Sequence, residues 1–198
     1  NADFKSENNF LLKKDGTTLY VACKNSGQIP QSVTSISKYA FYGIQTLTSV
    51  VIPEGVRMIG TCAFRDCVSL AQVNIPNSVT SIEDEAFANT GLVDFVIPNN
   101  VTNLGKNMFL ECSKLKNVTL PSAFRIFNST WFVNCPQLES IKIDGEHKDF
   151  ISAGNNLLSK DGTALVFGVK DSHIPSSVTV IASNAYAGRG IESIVIPN

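Results

Sequence analysis

Histidine, charge and long apolar runs are all scarce in this chain, and each shortage removes a class of function. Only two histidines, His147 and His173, stand among 198 residues, and neither sits in a His-Glu-x-x-His or other paired spacing. No serine occupies a Gly-x-Ser-x-Gly elbow either, so the zinc-hydrolase and serine-hydrolase templates do not apply. Charged residues make up 17% of the chain and the net charge is −1. That balance carries no electrostatic footprint for nucleic acid or for an anionic membrane. No apolar run approaches the roughly 20 residues of a membrane-spanning helix. The opening residues, Asn1-Ala2-Asp3-Phe4-Lys5, lack the basic start and apolar stretch of a secretion signal. The five cysteines are odd in number, so they cannot all pair within the chain.

What is present is repetition. An apolar-proline step recurs at Ile29-Pro30, Ile52-Pro53, Ile75-Pro76, Ile97-Pro98, Leu120-Pro121, Ile174-Pro175 and Ile196-Pro197. The first five steps are spaced by 23, 23, 22 and 23 residues. Three residues after the proline stands Val33, Val56, Val79, Val101, Phe124 or Val178, and three further on Ile36, Ile59, Ile82, Leu104, Phe127 or Ile181. A small residue and an aromatic follow at Ala40-Phe41, Ala63-Phe64 and Ala86-Phe87, varied to Met108-Phe109, Trp131-Phe132 and Ala185-Tyr186. Each repeat ends in a run such as Leu47-x-x-Val50-x-Ile52 or Leu115-x-x-Val118-x-Leu120, with Ile191, Ile194 and Ile196 in the last copy. That alternation reads as a short strand with one buried face.

One such unit has apolar positions on several sides and cannot cover them alone. Stacking the units about 4.8 Å apart lays like residues over like residues, which predicts columns of Phe, Ile and Val along a solenoid. The prolines stand where a missing N–H ends a strand without breaking its ladder. The expected architecture is therefore a right-handed stack of 22- to 23-residue coils, mostly β and irregular, with short parallel strands.

The text L-x-x-V-x-I-P-x-S-V-T-S-I-x-x-x-A-F, clearest at Asn77-Ser78-Val79-Thr80-Ser81-Ile82 followed by Ala86-Phe87, resembles the leucine-rich repeats of the BspA-like, or treponemal, class. The fifth copy departs from it, with Pro121-Ser122-Ala123-Phe124-Arg125-Ile126-Phe127, and the cysteine that often follows A-F occurs only as Cys67, Cys112 and Cys135. The resemblance implies a bacterial, non-enzymatic, secreted or cell-surface protein that acts in adhesion to host or neighbouring-cell proteins. It implies no cofactor.

Two segments break the period and resemble each other: Asp3-Phe4 to Thr17-Thr18-Leu19, and Asp149-Phe150 to Thr163-Ala164-Leu165. Both read as β-hairpins, each with a two-residue primed turn at Asp15-Gly16 or Asp161-Gly162. The 31 residues from Ile143 to Ile174 leave room for such an elongated repeat within the stack. With no Ser/Gly-rich or highly charged linker, the chain reads as one domain. Residues 1–28 form a partial elongated repeat, 29–143 regular repeats, 144–173 a second elongated repeat and 174–198 a further regular one, together a fragment of a longer array.

Few residues fall outside the repeat. Cys67, Cys112 and Cys135 share a phase with Ile44, Thr90 and Arg189, which suits small-hydrophobe packing, although Cys112 and Cys135 in adjacent coils could also bridge. Cys62 takes the phase of Tyr39, Glu85 and Asn107 and is expected to be more exposed. Asp144, Glu146, His147 and Asp149 are the densest acidic and imidazole cluster. Their spacing fits no EF-hand loop, and a solvated turn explains them. Gly188-Arg189-Gly190 begins like a dinucleotide fingerprint, but Ser193 stands at its third glycine.

The binding surface is expected on the outward positions of the L-x-x-V-x-I strands: Ser49, Val51, Gln72, Asn74, Asp94, Val96, Asn117, Thr119, Ser140 and Lys142. This mixed polar face suits a protein or a glycan partner, and equally suits a plain solvated sheet. A second candidate is the bulky trio Phe124, Phe127 and Trp131, as an exposed hot spot or as core filling. The functional classes are a surface-binding module or a structural spacer within a larger surface protein.

Overall fold

Each repeat closes on itself as a succession of tight turns. The N–H of Val33 donates to the carbonyl of Pro30 at 3.0 Å, and Val56 to Pro53, Val79 to Pro76 and Val101 to Pro98 do the same at 3.0–3.2 Å. The step of three residues continues from Phe64 to Cys67 (3.2 Å) and from Cys67 to Leu70 (2.9 Å). Successive i to i+3 turns bring every third side chain inward, which is why the apolar positions of the repeat lie three apart. The structure, a computed structural model, describes residues 2–187, 191 and 193–197.

The A-F corner depends on left-handed backbone. Tyr39, Cys62, Glu85 and Asn107 just before it, and Asp66, Asn89, Glu111 and Asn134 just after it, hold φ between +51° and +63°. With the backbone alternating in this way, Cys62, Phe64 and Asp66 all point their N–H groups at the next coil, reaching Asp84, Ala86 and Ala88 carbonyls at 2.9, 2.8 and 3.0 Å. This ladder forms without regular strand geometry.

The strands lie at the other two corners. The chain runs β1 Phe4–Glu7, β2 Phe10–Lys13, β3 Thr18–Ala22, β4 Ser35–Ile36, β5 Ser49–Val51, β6 Met58–Ile59, β7 Gln72–Asn74, β8 Ser81–Ile82 and β9 Asp94–Val96. It continues through β10 Asn103–Leu104, β11 Asn117–Pro121, a 3₁₀ turn at Ser129–Phe132, β12 Ser140–Asp144, β13 Phe150–Ala153, β14 Asn156–Ser159, β15 Ala164–Phe167 and β16 Val180–Ile181. One face carries the order β1-β2-β3-β4-β6-β8-β10, parallel from β3 onward. The L-x-x-V-x-I strands form the opposite face as β5-β7 and as β9-β11-β12, all parallel. Hydroxyls of the S-V-T text tie coils together, with Ser78 Oγ donating to Val56 O at 2.8 Å and Thr80 Oγ1 to Arg57 O at 3.2 Å.

Between these faces runs a ladder of phenylalanine rings. Phe41, Phe64, Phe87, Phe109 and Phe132 stack at 4.7, 5.3, 6.3 and 5.6 Å between centroids. Burying each ring stabilises the stack by about 1.5–3 kcal/mol. Phe10 adjoins Phe41 at 6.1 Å and Phe167 adjoins Phe132 at 5.3 Å, so the two elongated repeats supply the outer rings. Tyr186, expected in the ladder, packs instead against a smaller cluster of Leu158, Leu165, Ile174 and Ala185. Ile194 and Ile196, expected in a buried strand, are exposed and outside any strand.

The elongated repeats are antiparallel meanders, β1-β2-β3 and β13-β14-β15, joined to the stack through β3-β4 and β15-β16. The two-residue primed turns lie earlier than expected, at Asn8-Asn9 (φ 51° and 64°) and Gly154-Asn155 (φ 57° and 66°). At the Asp-Gly sites the loops are longer, from Lys13 to Thr18 and from Ser159 to Ala164. There Asp15 and Asp161 each accept from a threonine N–H two residues on, at 2.9 and 3.1 Å, and only the glycine takes positive φ. The aspartate side chain thus stabilises a turn with its own backbone outside the left-handed region.

A candidate binding face

The L-x-x-V-x-I strands set the face. Their central residues Val50, Phe95, Val118 and Ile141 are buried, and the flanking residues point outward because side chains alternate along a strand. Ser49, Val51, Gln72, Asn74, Asp94, Val96, Asn117 and Lys142 are exposed, and Thr119 is half-buried. Val51 and Val96 are the apolar high points, 69% and 62% exposed. Asp94 accepts from Asn117 Nδ2 at 2.6 Å across two coils, a polar rung in a face without a charge theme.

Ser140 departs from this pattern: it is 7% exposed, and its hydroxyl has no hydrogen-bond partner among the described residues. The second meander covers it. Ile141 N–H donates to Asn155 O at 3.0 Å, Ile143 N–H to Ser152 Oγ at 2.8 Å and Lys170 N–H to Leu138 O at 3.0 Å, so the segment after β12 folds back over that edge. A tertiary contact of this kind leaves no trace in the local pattern.

Phe124, Phe127 and Trp131 are drawn inward. Phe124 and Trp131 are buried and Phe127 is half-buried. Phe127 meets Trp131 edge-on at 5.2 Å and Phe167 at 5.4 Å, while Trp131 Nε1 donates to Gly105 O at 2.6 Å. Their bulk seats the second elongated repeat on the stack.

His147 also differs from the solvated turn expected of it. It is 2% exposed and stacks on Phe124 at 4.1 Å. Its Nδ1 accepts from Asp149 N–H at 3.0 Å, so Nε2 bears the proton donated to Phe124 O at 2.8 Å. Both nitrogens are engaged, and Asp144 turns away to accept from Asn99 Nδ2 at 2.7 Å. Among the described residues no group of three or more His, Cys, Asp or Glu side chains converges for a metal ion. Gly188-Arg189-Gly190 lies outside the described residues.

The cysteine column is a hydrogen-bonding device. Cys67, Cys112 and Cys135 direct their thiols at the carbonyls of Phe41, Phe87 and Phe109, one coil back, at 3.1, 3.1 and 3.0 Å. Cys112 and Cys135 therefore point at the ladder and not at each other. Burial pushes the Cys67 thiol up to about 11 and the Cys112 thiol upward as well. Cys62, expected to be exposed, is buried beside Glu85, while Cys23 is exposed.

Among the described residues the face has one interruption: β7 and β9 are not paired. The third coil has six residues from Phe87 to Leu92 where its neighbour has seven from Phe64 to Leu70. Gly91 fits there only because it lacks a side chain, since a Cβ would lie 2.6 Å from Val68 O. Phe95, standing where other coils have valine or isoleucine, wedges 4.9 Å from both Phe87 and Phe109 and draws β9 toward β11. A cleft of about 570 Å³ opens beside Gln72, Asn74 and Asp94. No helix in the described part is long and apolar enough to cross a membrane.

The stack is similar to several solved bacterial proteins. The pneumococcal vaccine antigen PcpA matches with a TM-score of 0.65 at 24% identity, over 100% of this chain and 48% of that one. A leucine-rich repeat protein of Bacteroides ovatus matches at 0.63 and 23%, over 99% of this chain and 58% of that one. The T. pallidum leucine-rich repeat protein matches at 0.58 and 23%, over 89% and 80%. The chain thus spans about half the length of PcpA. Comparison with curated proteins gives no match. The model of the BspA type leucine-rich repeat region, in six copies, matches residues 24–159. With more than half its length matched and its coils stacked in this way, the chain belongs to the BspA type leucine-rich repeat family.

Proposed function

We propose that this chain is a non-enzymatic module that binds a protein on the surface of a host or neighbouring cell through the outward face of its L-x-x-V-x-I strands. The observation that carries this reading is the face itself. It is a mixed polar surface with exposed valines at Val51 and Val96, a composition suited to protein recognition. The match to a vaccine antigen, a molecule named as an immune target, supports an extracellular or cell-surface location. The single-domain reading of residues 1–198 is part of this proposal.

The test is saturable binding of the purified chain to intact epithelial cells, before and after protease treatment of the cell surface. A combined replacement of Gln72, Asn74, Asn117 and Thr119 by alanine is expected to weaken binding without lowering the unfolding midpoint. Binding insensitive to that replacement rejects the face, and binding that survives protease points to a glycan. A spacer role predicts no binding by this chain while a longer protein containing it does bind.

A further inference from the structure

Beside β5 the face ends at an unoccupied edge. The segment that would supply the neighbouring strand, residues 23–28, folds as a turn: Ser26 N–H donates to Cys23 O at 3.0 Å and Gly27 N–H to Asn8 O at 3.2 Å. Ser26 Oγ adds a bond to Asn9 O at 3.0 Å, fixing the turn to the first meander. No strand pairs with β5 on that side among the described residues.

The pairing register decides which backbone groups are left over. Ile52 N–H donates to Asn74 O, and Val50 stands opposite Val73, so Val50 directs both its amide and its carbonyl at β7. Alternate residues of a strand face opposite neighbours, so the amides and carbonyls of Ser49 and Val51 face the open edge. Among the described residues no hydrogen bond engages them there. A hollow of about 370 Å³ adjoins this edge, with Ile29, Ile44, Leu47 and Val50 among its apolar lining. Lys24 carries the only charge in that lining.

We propose that the β5 edge and its hollow dock an extended peptide, which adds as a strand and places an apolar side chain in the hollow. The inference rests on the protein-binding reading and specifies the form of one partner segment. Donors and acceptors repeating at every second residue match a main chain, and few small molecules present that period. The hollow lies within the size range of ligand pockets, which suits an anchor side chain. Lys24, with no carboxylate among the lining residues, favours an acidic residue beside the anchor.

The probe is a displayed library of short linear peptides selected on the whole chain, with the affinities of the enriched peptides measured by fluorescence anisotropy. Enriched peptides are expected to carry an apolar residue next to Asp or Glu. N-methylation of the peptide backbone at alternate residues should weaken binding about tenfold, as expected for removing a main-chain bond or two. Lys24→Glu should weaken it similarly. Val51→Pro removes a donor from the open edge only, leaves β5-β7 pairing in place and should also weaken binding. The N-methylated peptides give the same answer should that variant not fold.

No enrichment, or binders indifferent to N-methylation and to Lys24→Glu, overturns the proposal. Self-association of the chain that Val51→Pro abolishes assigns the edge to a second copy and overturns it too. Cell binding that persists and still depends on Gln72, Asn74, Asn117 and Thr119 leaves the protein-binding reading standing while this site falls.

Discussion

Replacing Phe87 by alanine tests the stacking argument at its centre. The ring is fully buried, lies parallel to Phe64 at 5.3 Å, stacks on Phe109 at 6.3 Å and meets Phe95 at 4.9 Å. Phe→Ala in a close-packed core costs about 3–5 kcal/mol. The site should lie toward the upper end, because the backbone beside it is pinned: Phe87 N–H donates to Met108 O at 3.1 Å and receives Cys112 Sγ on its own carbonyl at 3.1 Å. Coils tied in this way cannot close over the vacated volume. A loss of about 4 kcal/mol is a large share of the 5–15 kcal/mol that holds most domains folded. The assay is urea unfolding followed by far-ultraviolet circular dichroism and by fluorescence of Trp131, the only tryptophan. Trp131 sits in the fifth coil and Phe87 in the third, so a joint shift of both signals would show that the defect spreads along the array. In a quasi-one-dimensional stack it spreads through interfaces between neighbours. A change below about 0.5 kcal/mol, typical of surface substitutions, would refute a buried ladder.

Three further outcomes follow from single contacts. Ser140→Ala removes a buried hydroxyl with no partner and should leave stability unchanged or raise it by about 1 kcal/mol; a clear loss would mean that the hydroxyl is satisfied. In the native protein at pH 8, Cys23 should react with a thiol reagent well before Cys67 and Cys112, which are buried and held toward the thiol form, and rapid labelling of Cys67 would contradict the column. Hydrogen bonds hold the carboxyls of Asp15, chiefly with Lys13 and Thr17, and of Asp161, chiefly with Ser159 and Thr163, below the ordinary carboxylate range. Their folded values are depressed, so what they contribute to the turns is complete above the unfolded value of about 3.9 and is lost only as pH falls through the lower folded values. Carbon-detected titration should find the midpoints of both below the ordinary aspartate range, and ordinary titration of either would refute the turn geometry.

The apolar positions of the coils were legible because the turns step by three and the coils by 22 or 23 residues, both of which the residues record directly. The hairpin segments were legible in position but not in their turns. Asp15-Gly16 looks like a primed turn, yet the aspartate uses its carboxylate to build a longer loop, and the primed turns fall to Asn8-Asn9 and Gly154-Asn155. The candidate face was legible for its exposed members and missed for Ser140, whose cover comes from the meander that follows it. The open edge of β5 had no local signal, since it exists only because residues 23–28 turn aside.

The sequence alone determined that this chain stacks, because periodic apolar side chains on a unit too small to bury them leave no other way to exclude water. It also determined which residues build the columns, since phase decides burial wherever each coil lies on a like coil. The tertiary structure decided everything at the places where like does not lie on like. Phe167 and Phe10 end the ring ladder, His147 is buried against Phe124, and the face divides between β7 and β9. These outcomes depend on segments meeting across the stack, which a periodic local pattern does not record.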